Sequence, residues 1–303
     1  MSEIHHIRSI GEAHRFLGLP KPKHPLVSVI DIEDQITQFD YGDMRYVMDF
    51  YQVNLKQGIS GTLRYGRNHY DFEEGTLVFI KPGQVIQVEP QDDMEGASGW
   101  TLLFHPDVLL KSALAQRIDD YSFFDYDIHE ALHLSDEEQS ALTVIAHKIR
   151  EEYSQNLDQH SQDLMVANIE LLLRYSQRFY GRQFYTRTNM QQDVLAGFHR
   201  VIKAYYSEGN AAKHGVLSVK HCAHALNMSP NYLSDLVKTE TGRSAKDHIH
   251  ERVIAIAKRE LLGTNLTVGE IAYGLGFEYP QGLNKLFKSK TGFSPSAFRT
   301  SSN

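Results

Sequence analysis

The sequence LSVKHCAHALNMSPNYLSDLVKTETG, residues 217–242, returns in altered form as LTVGEIAYGLGFEYPQGLNKLFKSKTG, residues 266–292. The apolar positions that repeat at an offset of 49 residues are Leu217, Val219, Ala223 and Leu226, matched by Leu266, Val268, Ala272 and Leu275. After one inserted residue the offset is 50, and it relates Pro230, Leu233, Leu236, Lys238, Thr241, Gly242 and Ser244 to Pro280, Leu283, Leu286, Lys288, Thr291, Gly292 and Ser294. Because the insertion falls where a turn is expected, the repeat predicts a duplicated helix-turn-helix.

Each copy predicts a short helix, a tight turn and a second helix that begins near a proline and ends at Thr-Gly. The first helices are expected over residues 218–226 and 267–275, and the two copies as wholes over about 218–242 and 267–292. A proline in the first turn of a helix costs no hydrogen bond, and Ser229 can cap the helix that follows it. Residues 244–262 have an unbroken helical period, which predicts a stiff connector helix between the copies.

The dimensions of this unit suit double-stranded DNA. The major groove is about 12 Å wide and admits one α-helix, and successive major grooves lie about 34 Å apart. Two helix-turn-helix units on a rigid connector can therefore enter two successive grooves. The charge is consistent with this, because residues 193–303 carry 14 Lys+Arg and 9 Asp+Glu, a net +5, whereas residues 1–192 have a net charge of −12.

Residues 193–300 resemble the DNA-binding domain of AraC/XylS-type transcriptional regulators. The resemblance includes both repeats, the connector from Arg252 to Leu262, and the stretch from Phe287 to Arg299. It implies that bases are read by Asn231, Ser234 and Asp235 in the first copy and by Gln281, Asn284 and Lys285 in the second. It also implies phosphate contacts from Lys238, Lys288 and Lys290. The sequence departs from the family's usual pattern at Asp235 and at Gly282.

The first part of the chain predicts short strands separated by glycine-rich turns. The expected strands are Leu26–Ile32, Tyr46–Lys56, Thr62–Tyr65, Thr76–Ile80, Val85–Glu89 and Trp100–Phe104. In the second of them Tyr51, Val53 and Leu55 alternate with polar residues, so we expect one buried face and one face in water. This half is similar, more weakly, to a cupin-like sensor domain. The expected fold class is α+β: an N-terminal cupin-like β-barrel with a helical hairpin, followed by an all-α double helix-turn-helix domain.

Residues 135–182 predict two amphipathic helices that form a hairpin at the end of the sensor domain. Ser135 and Glu138 have the spacing of a capping box, which starts the first helix. The hairpin either closes the barrel alone or also pairs two subunits. Residues 182–191 show no clear period, so we expect a sensor domain over 1–182, a linker over 183–192 and a DNA-binding domain over 193–303.

The sensor half offers few groups for chemistry. Cupin enzymes bind a metal through closely spaced histidines, but the corresponding stretch here has only His69, with Glu73 and Glu74 outside the required spacing. The pair His221 and His224 lacks a third ligand. We therefore expect no metal, no cofactor and no catalytic residue. The aromatic residues expected to line an effector pocket, or else to be plain core, are Tyr51, Tyr65, Phe79, Trp100 and Phe104.

Composition limits the class of protein. The 303 residues are 41% hydrophobic and include one cysteine, Cys222, so no internal disulfide can form and the thiol is expected in the core of the first DNA-binding helix. No apolar run approaches the roughly 18 residues of a membrane span. We expect a cytoplasmic regulator that binds an operator as a homodimer and responds to a small-molecule effector, with no membrane partner. RNA polymerase is a further candidate partner. The competing hypotheses are a cupin-type enzyme fused to a helical domain and an architectural DNA binder without an effector.

Overall fold

The computed structural model describes residues 4–33, 45–57, 75–87, 98–127, 130–186 and 188–301. The chain divides into two compact units, Met1–Gln183 and Phe184–Asn303. The first unit is mixed, with strands and helices, and the second is helical. The predicted strand Thr62–Tyr65 and the residues Tyr65, His69, Glu73 and Glu74 lie outside the described residues.

The strands of the first unit form two sheets. In chain order they are β1 Ile4–Ile7, β2 Val27–Asp31, β3 Arg45–Met48, β4 Tyr51–Gln57, β5 Thr76–Ile80, β6 Val85–Gln87, β7 Ser98–Phe104 and β8 Leu132–His133. One sheet has the order β1-β3-β6 and the other has the order β2-β7-β4-β5-β8. Only the β1–β3 pair is parallel among the strand pairs that the structure describes. The stretch predicted as one strand over residues 46–56 is two strands, separated by Asp49 and Phe50.

Helices cover one face of the larger sheet, and most β4 and β7 residues on that face are apolar. In register, Tyr51 lies opposite Phe104, Val53 opposite Leu102, and Leu55 opposite Trp100. The first unit's helices are α1 Ile10–Phe16, α2 Leu114–Arg117, α3 Asp136–Ser154 and α4 Ser161–Thr186. The Tyr153 hydroxyl of α3 accepts from the Val29 backbone N–H at 3.0 Å, and the Arg150 guanidinium of α3 pairs with Asp31 at 2.5 and 2.8 Å. These contacts hold α3 against the β2 edge of the sheet.

The capping box predicted at the start of α3 is confirmed. The Ser135 side chain accepts from the Glu138 backbone N–H, and the Glu138 carboxylate accepts from the Ser135 backbone N–H. Arg182, near the end of α4, pairs with Glu138 at 2.7 Å. The start of α3 therefore lies beside the end of α4, as an antiparallel hairpin requires.

The second unit contains eight described helices. They are α5 Thr188–Ser207, α6 Asn210–His214, α7 Val219–Ala225, α8 Pro230–Thr241, α9 Ala245–Gly263, α10 Val268–Gly274, α11 Pro280–Thr291 and α12 Pro295–Ser301. The backbone is helical in the stretch predicted as a linker, residues 183–192, since α4 extends to Thr186 and α5 begins at Thr188, and the boundary between the two units falls in this stretch, after Gln183. No proline lies in this stretch, and glycine occurs only on either side of it at Gly181 and Gly197, so nothing in the sequence stops the helical backbone there.

Two separate apolar cores support the two helix-turn-helix copies. The first core contains Phe198, Cys222, Leu233 and Val237 with the start of α9 at Ala245 and Ile249. The second core contains Ile271, Leu283 and Phe287 with the later part of α9 from Val253 to Leu261. The predicted connector helix is therefore present as α9, and each of its halves belongs to a different core.

Candidate nucleic-acid interface and effector site

Residues at its two ends set the bounds of α8, the second helix of the first copy. The Ser229 hydroxyl accepts from the Tyr232 backbone N–H at 3.2 Å, and Pro230 occupies the first turn, which confirms the predicted cap. The helix ends at Gly242, whose φ of 70° is the left-handed conformation that glycine adopts without strain. In the second copy α11 likewise starts at Pro280 and ends at Gly292, with a φ of 81°.

Both helices present polar side chains along one face and bury the opposite face. On α8 this face holds Asn231, Ser234, Asp235 and Lys238; on α11 it holds Gln281, Asn284, Lys285 and Lys288. The spacing i, i+3, i+4, i+7 places each set on one side of its helix. The buried side of α8 includes Leu233, Leu236 and Val237, and that of α11 includes Leu283 and Phe287. The four residues on α11 are exposed, whereas Asn231, Ser234 and Asp235 are partly buried.

Two of the predicted DNA contacts already have intramolecular hydrogen bonds. The Ser234 hydroxyl donates to the Pro230 carbonyl oxygen at 2.7 Å, so toward a base its oxygen can act only as an acceptor. The Lys290 ammonium lies 2.7 Å from the Asp247 carboxylate at the start of α9. Lys290 is therefore paired within the domain, and the phosphate contact that the resemblance implies for it would compete with this ion pair. Lys238 and Lys288 are exposed on their helices.

The turn of the second copy depends on two close approaches. A Cβ atom on Gly282 would lie 2.8 Å from the Phe277 ring, so the departure from an aromatic residue at this position leaves room for Phe277. Arg299 of α12 donates to the carbonyl oxygens of Leu261 at 2.8 Å and Leu266 at 2.7 Å. These bonds fix the loop between α9 and α10 against α12.

The single cysteine lies in the core, as predicted. Cys222 is fully buried in α7, and burial raises the pKa of its thiol to about 11. A thiol with so high a pKa is almost entirely protonated near neutral pH and reacts slowly.

Four of the aromatic residues predicted for the effector pocket, Tyr51, Phe79, Trp100 and Phe104, pack against other rings or helices, and Tyr65 lies outside the described residues. Tyr51 stacks on Phe104 at 4.9 Å, and Phe79 contacts Phe123 at 4.3 Å and Tyr180 of α4 at 6.2 Å. The Trp100 indole N–H donates to the Thr143 hydroxyl of α3 at 3.0 Å. Phe79, Trp100 and Phe104 are buried and Tyr51 is partly buried, and helices and neighbouring rings fill the space in front of them.

The opposite face of the same sheet contains a group of mostly buried polar residues among apolar ones such as Ile30, Val78 and Leu103, and sequence reasoning missed it. Asn54 is only 4% exposed; its side-chain oxygen accepts from Thr101 at 2.9 Å and from Gln52 at 2.8 Å. The side-chain oxygen of Gln52 is buried and has no hydrogen-bond partner in the part of the chain that the structure describes. Because the alternation Gln52-Asn54-Lys56 looks like a strand face in water, only burial in the structure could identify it.

Lys56 continues this polar face at its far end. The side chain is partly buried, lies beside Thr76 and Gly99 in the register, and forms no ion pair with any described residue. Burial lowers the pKa of the Lys56 amine to about 8. We refer to Gln52, Asn54, Lys56, Thr76 and Thr101 as the polar face. Buried polar groups are expensive unless they are hydrogen-bonded, and convergent polar groups in an interior are typical of ligand sites.

Histidines are numerous, but in the described ranges they do not group with other ligands. No set of three or more His, Cys, Asp or Glu side chains there could hold a metal ion. His221 contacts the Tyr205 ring at 5.0 Å. His248 hydrogen-bonds Thr241 at 2.9 Å, and burial together with the nearby Arg243 lowers the pKa of its imidazole. Among the helices described, none is long and apolar enough to cross a membrane.

Two family models match the chain. An AraC-like ligand-binding domain matches residues 45–173, and a helix-turn-helix domain matches residues 222–301. The chain is 28% identical over 151 residues to the uncharacterized HTH-type transcriptional regulator YijO of Escherichia coli, covering 50% of each chain. It is 30% identical over 83 residues to the uncharacterized HTH-type transcriptional regulator YobQ of Bacillus subtilis, covering 27% of this chain and 34% of that one. The matches thus span half or less of these relatives.

Solved structures match about a third of the chain. The C-terminal domain of AraT, a response regulator from Geobacillus stearothermophilus, is 29% identical, with a TM-score of 0.29 over 33% of this chain and 84% of that chain. The C-terminal domain of the response regulator yesN from Fusobacterium nucleatum is 26% identical, with a TM-score of 0.30 over 33% of this chain and 96% of that chain.

Proposed function

Because the chain has the domain organisation of the AraC/XylS-type transcriptional regulators, we propose that it is a sequence-specific DNA-binding regulator whose first unit senses a small molecule. The observation that supports DNA binding is the matching row of polar residues on α8 and on α11, each row at the same helical spacing and each helix packed on its own core. On these faces Gln281 and Asn284 can pair with adenine edges, Lys285 with guanine, and Asp235 with a cytosine amine.

The decisive experiment is selection of bound fragments from random double-stranded DNA by the full-length protein, followed by a salt titration on the best fragment. We expect a discrete motif with two parts about one helical turn apart and an affinity that falls steeply with salt. The same selection with residues 184–303, which form a compact unit, separates a need for an effector from a failure to bind. If neither protein enriches a motif, the proposal is wrong.

For the effector we propose the polar face rather than the aromatic residues. The supporting observations are the buried amide cluster of Gln52 and Asn54 and the Lys56 amine without an ionic partner among the described residues. In the proposed cupin-like barrel this face points inward. A cation beside amide groups suits a small molecule with a carboxylate or another anionic group.

This assignment predicts a charge preference that can be measured without knowing the effector. In a thermal-shift screen of small carboxylates, each paired with its amide, we expect some acids to stabilise the protein more than their amides. The difference should vanish in Lys56→Met and persist in Lys148→Met, an exposed lysine on α3. Binding should also weaken as the pH rises through about 8, because the pKa of the Lys56 amine is about 8 and only the ammonium form attracts the anion. Equal responses of the wild type to acids and amides would reject the assignment.

The remaining parts of the proposal concern the oligomeric state and the cellular location. Leu164 and Leu171 are exposed two turns apart on α4, which supports a homodimer formed by the hairpin. The protein would act in the cytoplasm, where its operator and RNA polymerase, the remaining expected partner, are found.

A further inference from the structure

The second helix-turn-helix contacts the first at both ends of α11. One contact is made by the turn before α11, at Gly276, and the other by Lys290, one residue before the helix ends. Gly276 meets the segment that precedes α7, and Lys290 meets the start of α9. Both partners belong to the first copy's side of the domain, since Ala245 and Ile249 of α9 pack in the first core.

The contact at Gly276 is backbone against backbone. A Cβ atom on Gly276 would lie 2.6 Å from the Gly215 carbonyl oxygen and 2.6 Å from the Val216 nitrogen. These distances are far below normal van der Waals contact, so only glycine allows the turn to come this close. The φ of Gly276 is +89°, and that of Gly215 is +86°.

The segment that receives Gly276 is itself held in place by two tyrosines at the end of α5. The Tyr205 hydroxyl donates to the Gly215 carbonyl oxygen at 2.9 Å, and the Tyr206 hydroxyl accepts from the Leu217 backbone N–H at 3.4 Å. The Tyr206 side chain packs against both apolar cores. The segment that Gly276 contacts is therefore held in place by hydrogen bonds and by side-chain packing.

The contact at the other end is an ion pair with a third partner. The Asp247 carboxylate accepts from Lys290 at 2.7 Å and from the Ser244 hydroxyl at 2.6 Å. These bonds lower the pKa of the Asp247 carboxyl to about 2, so it stays ionised throughout the physiological range. Ser244 also caps α9, which places the carboxylate at a fixed point on the first copy's side.

We propose that the Gly276 and Lys290 contacts, which we call the junction, fix the direction of α11 relative to α8 and thereby select the spacing of the two half-motifs on DNA. Lys290 lies ten residues after Pro280 on α11, about 15 Å along the helix. Contacts at both ends of such a length prevent the helix from pivoting about one point. Gly276, Asp247 and Lys290 are positioning residues, and this inference rests on the proposed DNA-binding function.

The first test compares two glycines on a series of operators. The two half-motifs from the selection are moved apart or together by one and two base pairs, and affinity is measured for each spacing. Gly276→Ala should lower affinity at the best spacing roughly tenfold, the loss expected when one helix misses a base pair, and flatten the spacing profile. Gly292→Ala is the matched control, because its φ of +81° imposes similar backbone strain but its Cβ meets nothing within 4 Å. Identical profiles for the two variants would overturn the proposal.

The second test compares two lysines and does not rely on a strained backbone. Lys290→Gln and Asp247→Asn should each flatten the spacing profile, because each removes the ion pair but keeps a polar side chain. Lys288→Gln should lower affinity at every spacing by the same factor and reduce the salt slope by about 1. If Lys290→Gln behaves like Lys288→Gln, Lys290 is a phosphate contact and the ion pair has no positioning role.

A third measurement needs no DNA, so it separates the junction from the proposed function. Spin labels on cysteines placed at Thr239 of α8 and Ser289 of α11, both exposed, report the distance between the two helices. Cys222 is buried and remains unlabelled. The distance distribution should be narrow in the wild type and in Gly292→Ala, and broad in Gly276→Ala and Lys290→Gln. A broad distribution in the wild type would refute the junction even if DNA binding is found, whereas a narrow one without any selected motif would refute only the DNA-binding function.

Discussion

Three lysines on α11 have the same side-chain chemistry but different surroundings. Lys285 lies on the exposed side of α11 with Asn284 and Lys288, Lys288 is exposed one turn further along, and Lys290 is paired with Asp247. An exposed lysine can move to a base or a phosphate at little cost, whereas a paired one must first give up its carboxylate partner. The three positions should therefore contribute differently to DNA binding.

Lys285 and Lys288 allow base reading to be separated from phosphate contact. Lys285→Ala should weaken binding by about 1 to 3 kcal/mol only when one particular base pair is present, because the lost contact is to a base edge. Lys288→Ala should weaken binding to all sequences alike and reduce the salt slope. The measurement is affinity for the selected operator and for single-base variants of it. A uniform loss for Lys285→Ala would remove that residue from the base-reading set.

At the residue scale, the sequence predicts interactions between residues that are close along the chain but not those between residues far apart. Ser135 with Glu138, and Ser229 with Pro230, were recognisable because each partner lies within three residues of the other. The pairing of Lys290 with Asp247 spans 43 residues and has no sequence signature. The polar face could not be predicted for a different reason. Alternation along β4 separates Asn54 and Lys56 from Tyr51 and Val53, but it does not show which side of the strand faces water.

At the scale of elements, the two copies of the helix-turn-helix differ in how their second helices begin. Ser229 caps α8 with its hydroxyl, but Tyr279, at the same place before α11, makes no side-chain capping bond. In the preceding helices the second copy has the more complete cap, since Thr267 and Glu270 form a full capping box on α10. In the first copy only Ser218 caps α7. The two copies therefore have the same order of helices and turns but differ in how completely the N-terminus of each helix is capped.

This difference predicts opposite effects of substitutions at equivalent positions. Ser229→Ala should lower the free energy of unfolding of the second unit by about 1 kcal/mol, because it removes the bond to the Tyr232 N–H. Tyr279→Ser should raise it by up to about 1 kcal/mol, because Tyr279 is 63% exposed and the new hydroxyl can cap α11. Denaturant unfolding of residues 184–303 measures both. Destabilisation by Tyr279→Ser would mean that the exposed ring has a packing role.

The elements that sequence predicted best are those with chemical start and stop signals. Both helix-turn-helix copies, with Pro230 and Pro280 at the start of the second helices and glycine at their ends, lie close to the predicted bounds. The stretch over 183–192 lacks an apolar period, so the sequence does not show that its backbone is helical on both sides of residue 187. Periodicity detects helices that bury one face, and a helical segment with no such face gives no signal.

At the scale of the whole molecule, the two units have opposite charge and different chemistry. The second unit is the basic one, as a partner of DNA requires, and the first is acidic and contains the polar face. A regulator must also couple the two, and a small molecule can do so only if it binds one arrangement of the protein more tightly than another. If two chains pair as proposed, the effector can select among more arrangements of the protein.

The exposed leucines of α4 provide the test of pairing. Leu164 is 48% exposed and Leu171 is 43% exposed, seven residues apart on one side of the helix. Replacing both with glutamate should weaken a dimer by at least about 3 kcal/mol, more than a hundredfold in dissociation constant, because each buried leucine contributes about 1.5 to 3 kcal/mol. Sedimentation of the full-length protein measures the change. Leu262→Glu, at a leucine of α9 that is 49% exposed, is the control and should leave the dimer intact.

The same variant shows whether pairing matters for DNA. A single chain offers two recognition helices, enough for two successive major grooves, and a pair of chains offers four. The double glutamate variant should therefore keep its affinity for one copy of the selected motif and lose the extra affinity for two adjacent copies, since only a linked pair gains from the second site. If the variant remains a dimer, the hairpin serves only to close the first unit. If it is a monomer and still binds two copies as tightly as the wild type, pairing through α4 has no part in operator recognition.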